Sequence, residues 1–403
     1  MEQEVYHRNF LLICSAQFCF ALSMSVVDPV FPVYIASFDV SYALIGFVMS
    51  AFGLTRVFVE IPGGVLADRL GHRNLLLLGT GLALSSHIIA GLASSYLELV
   101  VSRMIVGVGS AFSMTAGLMY VGEQAPPLQR QRNVARYQSM FSMGGIIGPT
   151  LGGVLSDLLG IRLLFFVAGG LTVIGLVLNL QLRIARFQRL SRVPLSIRQM
   201  GGVIVNPLIL ILCSATFLTF FMFSSIRGTM IPLYGIDVLG LSTTQIGLVF
   251  SVTSATIVGI LLGVIPALES HISRPHLLVL SLGTATCAIA SLSLASDFVS
   301  LILISLPLGV GFSLIQPTPF VMILDLATAE TRGLMMGVLR TTGDIGIIVG
   351  PLLVGSLLDL GQPRLVFYVV AGIFAFFTIL YWSTFRRHGI PPTFSEKTSS
   401  KLT

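Results

Sequence analysis

Charge is the scarcest property of this chain. Only 10% of its 403 residues are Asp, Glu, Lys or Arg, whereas 54% are hydrophobic. Soluble domains carry about 25% charged residues, and a water-soluble fold of this length could not bury so much apolar surface. The apolar runs also lack the alternation with polar residues that a transmembrane β-barrel requires. A lipid bilayer is the solvent that this composition fits.

Cysteine is also scarce, and no soluble-enzyme motif is present. We interpret the four cysteines as small apolar side chains within apolar segments rather than as disulfides or metal ligands. The chain contains no phosphate-binding loop, metal-ligand spacing or nucleophile elbow. The sequence therefore predicts neither an enzyme nor a bound cofactor or metal, and energy for any work must come from an ion gradient or a substrate gradient.

Long apolar segments are abundant. Twelve are long enough to cross a bilayer as a helix, which takes about 20 residues. The first could pass for a signal peptide, but further spans follow it at once, and no small-residue cleavage site precedes a soluble domain. The sequence predicts an all-α membrane protein with twelve transmembrane helices. The predicted spans are 10–36, 42–66, 74–93, 98–121, 134–158, 163–182, 207–236, 242–268, 277–295, 298–327, 334–358 and 363–384.

Basic residues are distributed unevenly between the loops. With the N-terminus in the cytoplasm, seventeen of the 23 lie on the cytoplasmic side, and only Arg162 and Arg364 lie outside. This positive-inside bias predicts a plasma-membrane protein with both termini in the cytoplasm. The net charge of +6 then reflects topology and contact with anionic lipid, so no nucleic-acid partner is needed.

The chain is an internal duplication. Four matches occur at a nearly constant offset of 200 to 202 residues, and residues 183–205, with five arginines, separate six spans from six. We predict an N-terminal bundle (1–182), a cytoplasmic central loop (183–205), a C-terminal bundle (206–385) and a cytoplasmic tail (386–403). Two such bundles can rock about a midplane site and open it to each side in turn. The matches include Pro32-x-Tyr34 with Pro232-x-Tyr234, Gly148-Pro149 with Gly350-Pro351, and Asp157 with Asp359.

A dense charge cluster connects the second and third spans. Residues 63–74 read GGVLADRLGHRN, which resembles the loop 2–3 signature of the major facilitator superfamily, G-x-L-a-D-r-x-G-r-k/r. His72 stands where a basic residue is usual. With the twelve spans, the central loop and the repeat, the resemblance covers nearly the whole chain. It implies the major facilitator fold of two pseudo-symmetric six-helix bundles, and we expect a monomer.

The resemblance also implies a cytoplasmic gate. Asp68 would dock near the start of helix 11, and Arg69 and Arg73 would meet acids such as Glu123 when the outside is open. Gly64 permits close helix approach. Positive-inside anchoring alone would explain the arginines but not the aspartate and the glycines. By the repeat offset, Asp325 corresponds to Glu123. The predicted gate residues are Gly64, Asp68, Arg69, Gly71, Arg73, Glu123, Arg130, Asp325 and Arg332.

Two helices carry further family patterns. Arg103 and the glycines after it resemble the helix 4 motif with its intramembrane arginine. The fifth span matches the pattern associated with drug:proton antiporters in the twelve-helix group. Small residues there allow tight helix packing, and packing alone is the alternative explanation. The helix 5 residues are Gly144, Gly148, Pro149, Gly152 and Gly153.

Each charge within a span needs a reason, because at mid-bilayer it costs at least about 2.5–3.5 kcal/mol. Arg56 and Glu60 are four residues apart and share a helix face, as are Arg340 and Asp344. Each pair is either a neutralised structural pair or part of a binding or proton-coupling site. Asp28 resembles the acidic position of the helix 1 motif in drug exporters. The candidates for substrate binding and proton coupling are Asp28, Arg56, Glu60, Arg103, Arg227 and Asp344.

Asp28 and Arg227 are also candidates for an outer gate. The repeat places Arg227 one position from the counterpart of Asp28, Gly228, and both lie near the outer side. We predict that they approach across the two halves, the alternative being that Arg227 extends to the outer headgroups. His87 in helix 3 could carry a proton, with a packed and satisfied histidine as the alternative.

The sequence thus predicts a secondary active transporter that exports small amphiphilic or drug-like molecules in exchange for protons. Its partners would be the substrate, protons and the bilayer. One alternative is proton-coupled uptake, or uniport, of a small metabolite. Another is a transporter-like sensor that binds without transporting.

Overall fold

The computed structural model describes residues 2–124, 129–182, 207–269, 271–327 and 331–388. The predicted central loop (183–205) and most of the predicted tail lie outside the described residues. Gly64, Asp68, Glu123 and Arg332 lie within helices, but the structure describes neither their side chains nor their surroundings.

Twelve long helices make up the described part of the chain, and no strand occurs in it. The predicted all-α fold is therefore confirmed. In the first half, α1 is Glu2–Val27, α2 Tyr42–Leu70, α3 His72–Leu92, α4 Tyr96–Gln124, α5 Arg130–Leu159 and α6 Ile161–Leu180. In the second half, α7 is Pro207–Val238, α8 Thr243–Val264 with Ile265–Glu269, α9 Arg274–Leu294, α10 Phe298–Leu326, α11 Arg332–Leu358 and α12 Pro363–His388.

Eleven of these helices, counted over the described residues, are long and apolar enough to cross a membrane. The exception is α5, although the predicted span 134–158 falls within its 30 residues. Many large apolar side chains are exposed along the helices; Phe58, for example, is 70% exposed. Such side chains would contact lipid in a bilayer.

Glycines with positive φ lie between helices at matching places in the two halves. Gly160 ends α5 with a φ of +84°, and Gly361 precedes α12 with a φ of +73°. Glycine adopts such angles without the steric cost that a Cβ imposes. Because the two positions are related by the repeat offset, the duplication in the sequence is also a duplication of local structure.

Helix α7 is irregular in its C-terminal half. It widens into π-helical turns at Phe223–Met230 and again at Tyr234–Val238, a feature that is frequent at functional sites. The first of these segments carries Arg227. Between them, Pro232 lies near the start of the short α-helical turn Ile231–Leu233, as Pro32 does in the short helix Phe31–Ala36 after α1.

The chain forms two compact units. Among the described residues, the first contains 2–182 and Gly228–Ser251, and the second contains 207–227 and 252–388. In the first, α1 packs against α5 and α6, and α4 packs against α2 and α3. In the second, α7 packs against α11, and α9 packs against α10 and α12. The C-terminal part of α7 and the start of α8 therefore belong to the same compact unit as the first six helices.

Candidate functional site

A buried arginine lies in the apolar interior of the first unit. Arg103 on α4 is 7% exposed, and its guanidinium carbon lies 4.1 Å from the ring centroid of Phe31. Its Nη2 donates to the sulfur of Met49 at 3.6 Å, whereas its Nε has no hydrogen-bond partner among the described residues. A cation within about 6 Å of an aromatic face is stabilised by the ring, so Phe31 and Met49 hold this charge away from water.

Asp28 belongs to the same cluster. It lies in the turn between α1 and the short helix Phe31–Ala36, is half-buried, and interacts electrostatically with Arg103. Phe31, whose ring faces the Arg103 guanidinium, is only three residues further along the chain. The structure therefore brings together two of the six predicted coupling residues. Protonation of Asp28 would leave the buried arginine without this compensating charge.

His87 on α3 is another neighbour of Arg103. It is 2% exposed and interacts electrostatically with Arg103. Its Nε2 has no hydrogen-bond partner in the part of the chain that the structure describes. The alternative of a packed histidine with both ring nitrogens hydrogen-bonded is therefore not observed at Nε2.

A second charged pair lies on α2. Arg56 Nη2 is 3.7 Å from Glu60 Oε1, and both side chains are 13% exposed. Arg56 Nη1 donates to Ser110 Oγ at 3.3 Å. The guanidinium carbon of Arg56 lies 5.5 Å from the ring centroid of Phe52, and that of Arg103 lies 5.8 Å from the same ring. The predicted pairing of Arg56 with Glu60 is observed, and its role in transport stays a prediction.

In the second unit, Arg227 lies in the π-helical turns of α7. Its Nη2 donates to Ser254 Oγ at 3.0 Å, and its guanidinium carbon lies 4.9 Å from the ring centroid of Phe223. Asp344 on α11 is 3% exposed. The predicted approach of Arg227 to Asp28 stays a prediction, as does the coupling role of Asp344.

The glycine motif of α5 packs against α1. Gly144, Gly148 and Gly152 all lie there against α1, and a Cβ on Gly152 would lie 1.8 Å from the carbonyl oxygen of Val26. Only glycine permits so close an approach of two backbones.

The neighbouring face of α5 packs against α8. A Cβ on Gly153 would lie 2.4 Å from the carbonyl oxygen of Thr243, and a Cβ on Gly247 would lie 2.2 Å from that of Pro149. The motif therefore packs two helices at once. Further along this contact, Thr150 Oγ1 and Ser251 Oγ are hydrogen-bonded at 2.7 Å.

Asp157 closes the contact at the end of α5. Its carboxylate accepts hydrogen bonds from the Thr243 hydroxyl at 2.6 Å, the Thr244 backbone N–H at 2.9 Å and the Thr244 hydroxyl at 2.5 Å. Sequence reasoning used Asp157 only as a marker of the repeat and missed this role. The available signal was its position four residues after Gly153, on the same side of a helix.

The charged loop between α2 and α3 forms a tight junction at Gly71, whose φ is +86°. Arg69 is exposed. Arg73 Nη2 donates to the carbonyl oxygen of Leu180 at 2.7 Å. Leu180 is the last residue of α6, and the helix dipole favours a cation at this end of a helix. Contacts of Arg73 with Glu123, and the docking of Asp68, lie outside the described side chains and stay predictions.

The second half contains a related ion pair. Arg274, at the start of α9, donates to the carboxylate of Asp325, near the end of α10. Asp325 is the repeat counterpart of Glu123, and Arg274 lies in residues 263–276, which correspond in the second half to the charged loop of the first. The kind of pairing that the resemblance implied for the first half is thus present in the second. Arg130 is exposed at the start of α5.

The family model of the Major Facilitator Superfamily matches residues 13–318 and, in a second match, 267–402. These matches cover most of the chain, which therefore belongs to the Major Facilitator Superfamily. The protein is a multi-pass membrane transporter and not an enzyme.

Two curated relatives and one solved structure extend this assignment. The chain is 26% identical over 352 residues to the quinolone resistance protein NorA of Staphylococcus aureus (strain COL), covering 85% of this chain and 88% of NorA. It is 24% identical over 358 residues to multidrug resistance protein 2 of Bacillus subtilis (strain 168), covering 87% and 89%. A crystal structure of a mutant peptide transporter POT with sulfate superposes with a TM-score of 0.81, at 14% identity, over 96% of this chain and 98% of that one. This last likeness concerns the fold.

Proposed function

We propose that this transporter exports small amphiphilic or drug-like molecules across the plasma membrane in exchange for protons, by alternating access. The observation that carries the proposal is the cluster of Asp28, Arg103, Phe31 and Met49, in which an acid accompanies a cation buried among apolar groups. The helix 5 motif and the names of the two curated relatives also support the export of drug-like molecules.

The cluster offers chemistry suited to amphiphilic molecules. Aromatic rings and a thioether are permissive apolar contacts. The Nε of Arg103 is a donor without a described partner, and it could bind an oxygen acceptor of a substrate. A few polar groups on a mostly apolar surface are the usual composition of a small-molecule site.

Exchange follows from competition for one carboxylate. A cationic substrate and a proton each neutralise Asp28, so binding of one disfavours binding of the other. Protons entering from outside would then displace the substrate, and proton release inside would restore the charged site. This is the thermodynamic requirement for coupling inward proton movement to outward substrate movement.

The proposal is tested with purified protein in liposomes, using ethidium and a fluorescent quinolone as probes. When the lumen is acidic, we expect both probes to accumulate inside, because protons leave as the probe enters. Uptake by symport would give accumulation only with an alkaline lumen. A sensor would bind the probes without moving them. Protein-free liposomes correct for passive partitioning, and an ionophore that collapses the gradient should abolish accumulation.

A further inference from the structure

We propose that Asp157 is a positioning residue for the transport cycle: it holds α5 against the first turn of α8, and this contact must open before the site can face outward. The inference rests on the alternating access of the proposed function. We refer to Asp157, Thr243 and Thr244 as the outer latch, because the positive-inside pattern assigns the end of α5 and the start of α8 to the outside.

Both oxygens of the Asp157 carboxylate are used in the latch. Oδ1 accepts from the hydroxyl of Thr243 at 2.6 Å, and Oδ2 accepts from the backbone N–H and the hydroxyl of Thr244. Thr243 is the first residue of α8, so the acceptor is an anion at a helix N-terminus. The N–H groups there lack intrahelical acceptors, and the helix dipole favours a negative charge. Geometry and charge therefore both hold α8 to α5.

The contact covers only the outer half of α5. Asp157, Gly153 and Thr150 lie on one face and meet α8. Met143, seven residues before Thr150, lies on the same face and is 44% exposed. Ser139, one turn further, is also exposed. A face that is packed at its outer end and exposed at its inner end is expected for a helix that lines an inward-open cavity.

The latch also differs from permanent helix packing. Gly152 is buried against the backbone of Val26, where separation would leave a void. Asp157, in contrast, is exposed, so water can replace its hydrogen bonds when α8 moves away. Charge-assisted hydrogen bonds at an accessible position can form and break repeatedly. The buried α5–α1 contact is suited to a fixed bundle, whereas the exposed end of the α5–α8 contact at Asp157 is suited to opening.

The test uses two cysteine reporters in a chain whose four native cysteines are replaced by alanine. Ser251→Cys reports on the α5–α8 contact and is labelled by a membrane-impermeant maleimide from outside. Met143→Cys reports on the inner end and is labelled from the cytoplasmic side in inside-out vesicles. Asp157→Asn should increase labelling at position 251 at least threefold and decrease labelling at position 143 at least twofold. Asp157→Glu, which keeps the carboxylate, should return both rates toward the parent values.

Opposite changes at the two reporters identify a shift of the whole protein toward the outward-facing state. An increase at 251 alone would show local loosening and would overturn the inference, as would unchanged labelling at both positions. Asp39→Asn, the same change at an exposed residue, should alter neither rate. If Asp157→Asn does not reach the membrane, Thr244→Val, which removes a donor and keeps the side-chain shape, should give the same two shifts. Labelling requires no substrate, so its outcome is separate from the ethidium and quinolone assay of the proposed function.

Discussion

At the scale of single residues, Arg103 illustrates what a buried charge requires. Its guanidinium carbon lies over the Phe31 ring and its Nη2 donates to the sulfur of Met49, a contact that suits a planar, weakly hydrated cation. Lysine keeps the charge, but its ammonium is compact and strongly hydrated. The shape of the group should therefore matter as much as its charge.

We therefore expect Arg103→Lys to lower the initial rate of ethidium export at least tenfold at equal amounts of protein in the membrane. A tenfold loss corresponds to about 1.4 kcal/mol, within the range of roughly 0.5–2 kcal/mol for a cation–π contact. The rate is measured from dye fluorescence in cells, with the amount of protein checked by immunoblotting. Arg364→Lys, at an exposed position, is the matched control. Export at the rate of this control would show that the contact of the Arg103 guanidinium with Phe31 is dispensable.

Sequence reasoning found the charged residues but not their partners. Arg103 and Asp28 stand out because charge is costly inside a membrane. Phe31 and Met49 do not stand out, because apolar residues occur throughout the spans. Their role depends on how α4 is rotated toward the turn after α1, which no local pattern encodes. The same holds for Asp157, whose partners on α8 are 86 and 87 residues away.

At the scale of elements, α5 combines two packing faces within one helix. A Cβ on Gly152 would meet the carbonyl oxygen of Val26 at 1.8 Å, whereas a Cβ on Gly145 would meet nothing within 4 Å. Both glycines lie in the same helix, so their difference isolates packing from helix propensity.

Gly152→Ala should lower the midpoint of thermal unfolding in detergent, because α1 and α5 must separate; overpacking costs about 1–3 kcal/mol. Gly145→Ala should leave the midpoint unchanged or raise it, because alanine favours a helix over glycine by about 1 kcal/mol. The midpoint is measured as the loss of monodisperse protein after heating. Equal midpoints for the two variants would contradict the assignment of Gly152 to the α1 contact.

The existence of most helices could be predicted from the sequence, because span length and terminal glycines are local signals. The glycine motif of α5 was also recognisable. The sequence did not show which helix each face of the motif contacts, because Gly152 and Gly153 are neighbours in the chain but contact α1 and α8, respectively. The π-helical turns of α7 around Arg227 were likewise not predictable, because Gly228 and Pro232 indicate a weak point in the helix but not the kind of turn that forms there.

At the scale of the whole molecule, the duplication predicted the two-fold plan of six and six helices, and the family match confirms the fold. The sequence did not show that Gly228–Ser251 would pack with the first six helices. That grouping results from contacts such as Thr150 with Ser251, which depend on the position of helix ends relative to one another. Hydrophobic periodicity determines which residues are apolar but not where two helices meet.

The central claim is that the charge of Asp28 couples proton movement to substrate movement, and Asp28→Asn in liposomes tests it most directly. We expect this variant to lose accumulation of ethidium driven by an acidic lumen, because a proton can no longer bind and leave. It should still exchange labelled for unlabelled ethidium in the absence of a gradient when ethidium is saturating, because exchange requires only binding, which the loss of the carboxylate weakens, and alternating access. Asp39→Asn, in the exposed loop that follows, should behave as the unmodified protein. Accumulation of ethidium by Asp28→Asn at the unmodified rate would contradict the account.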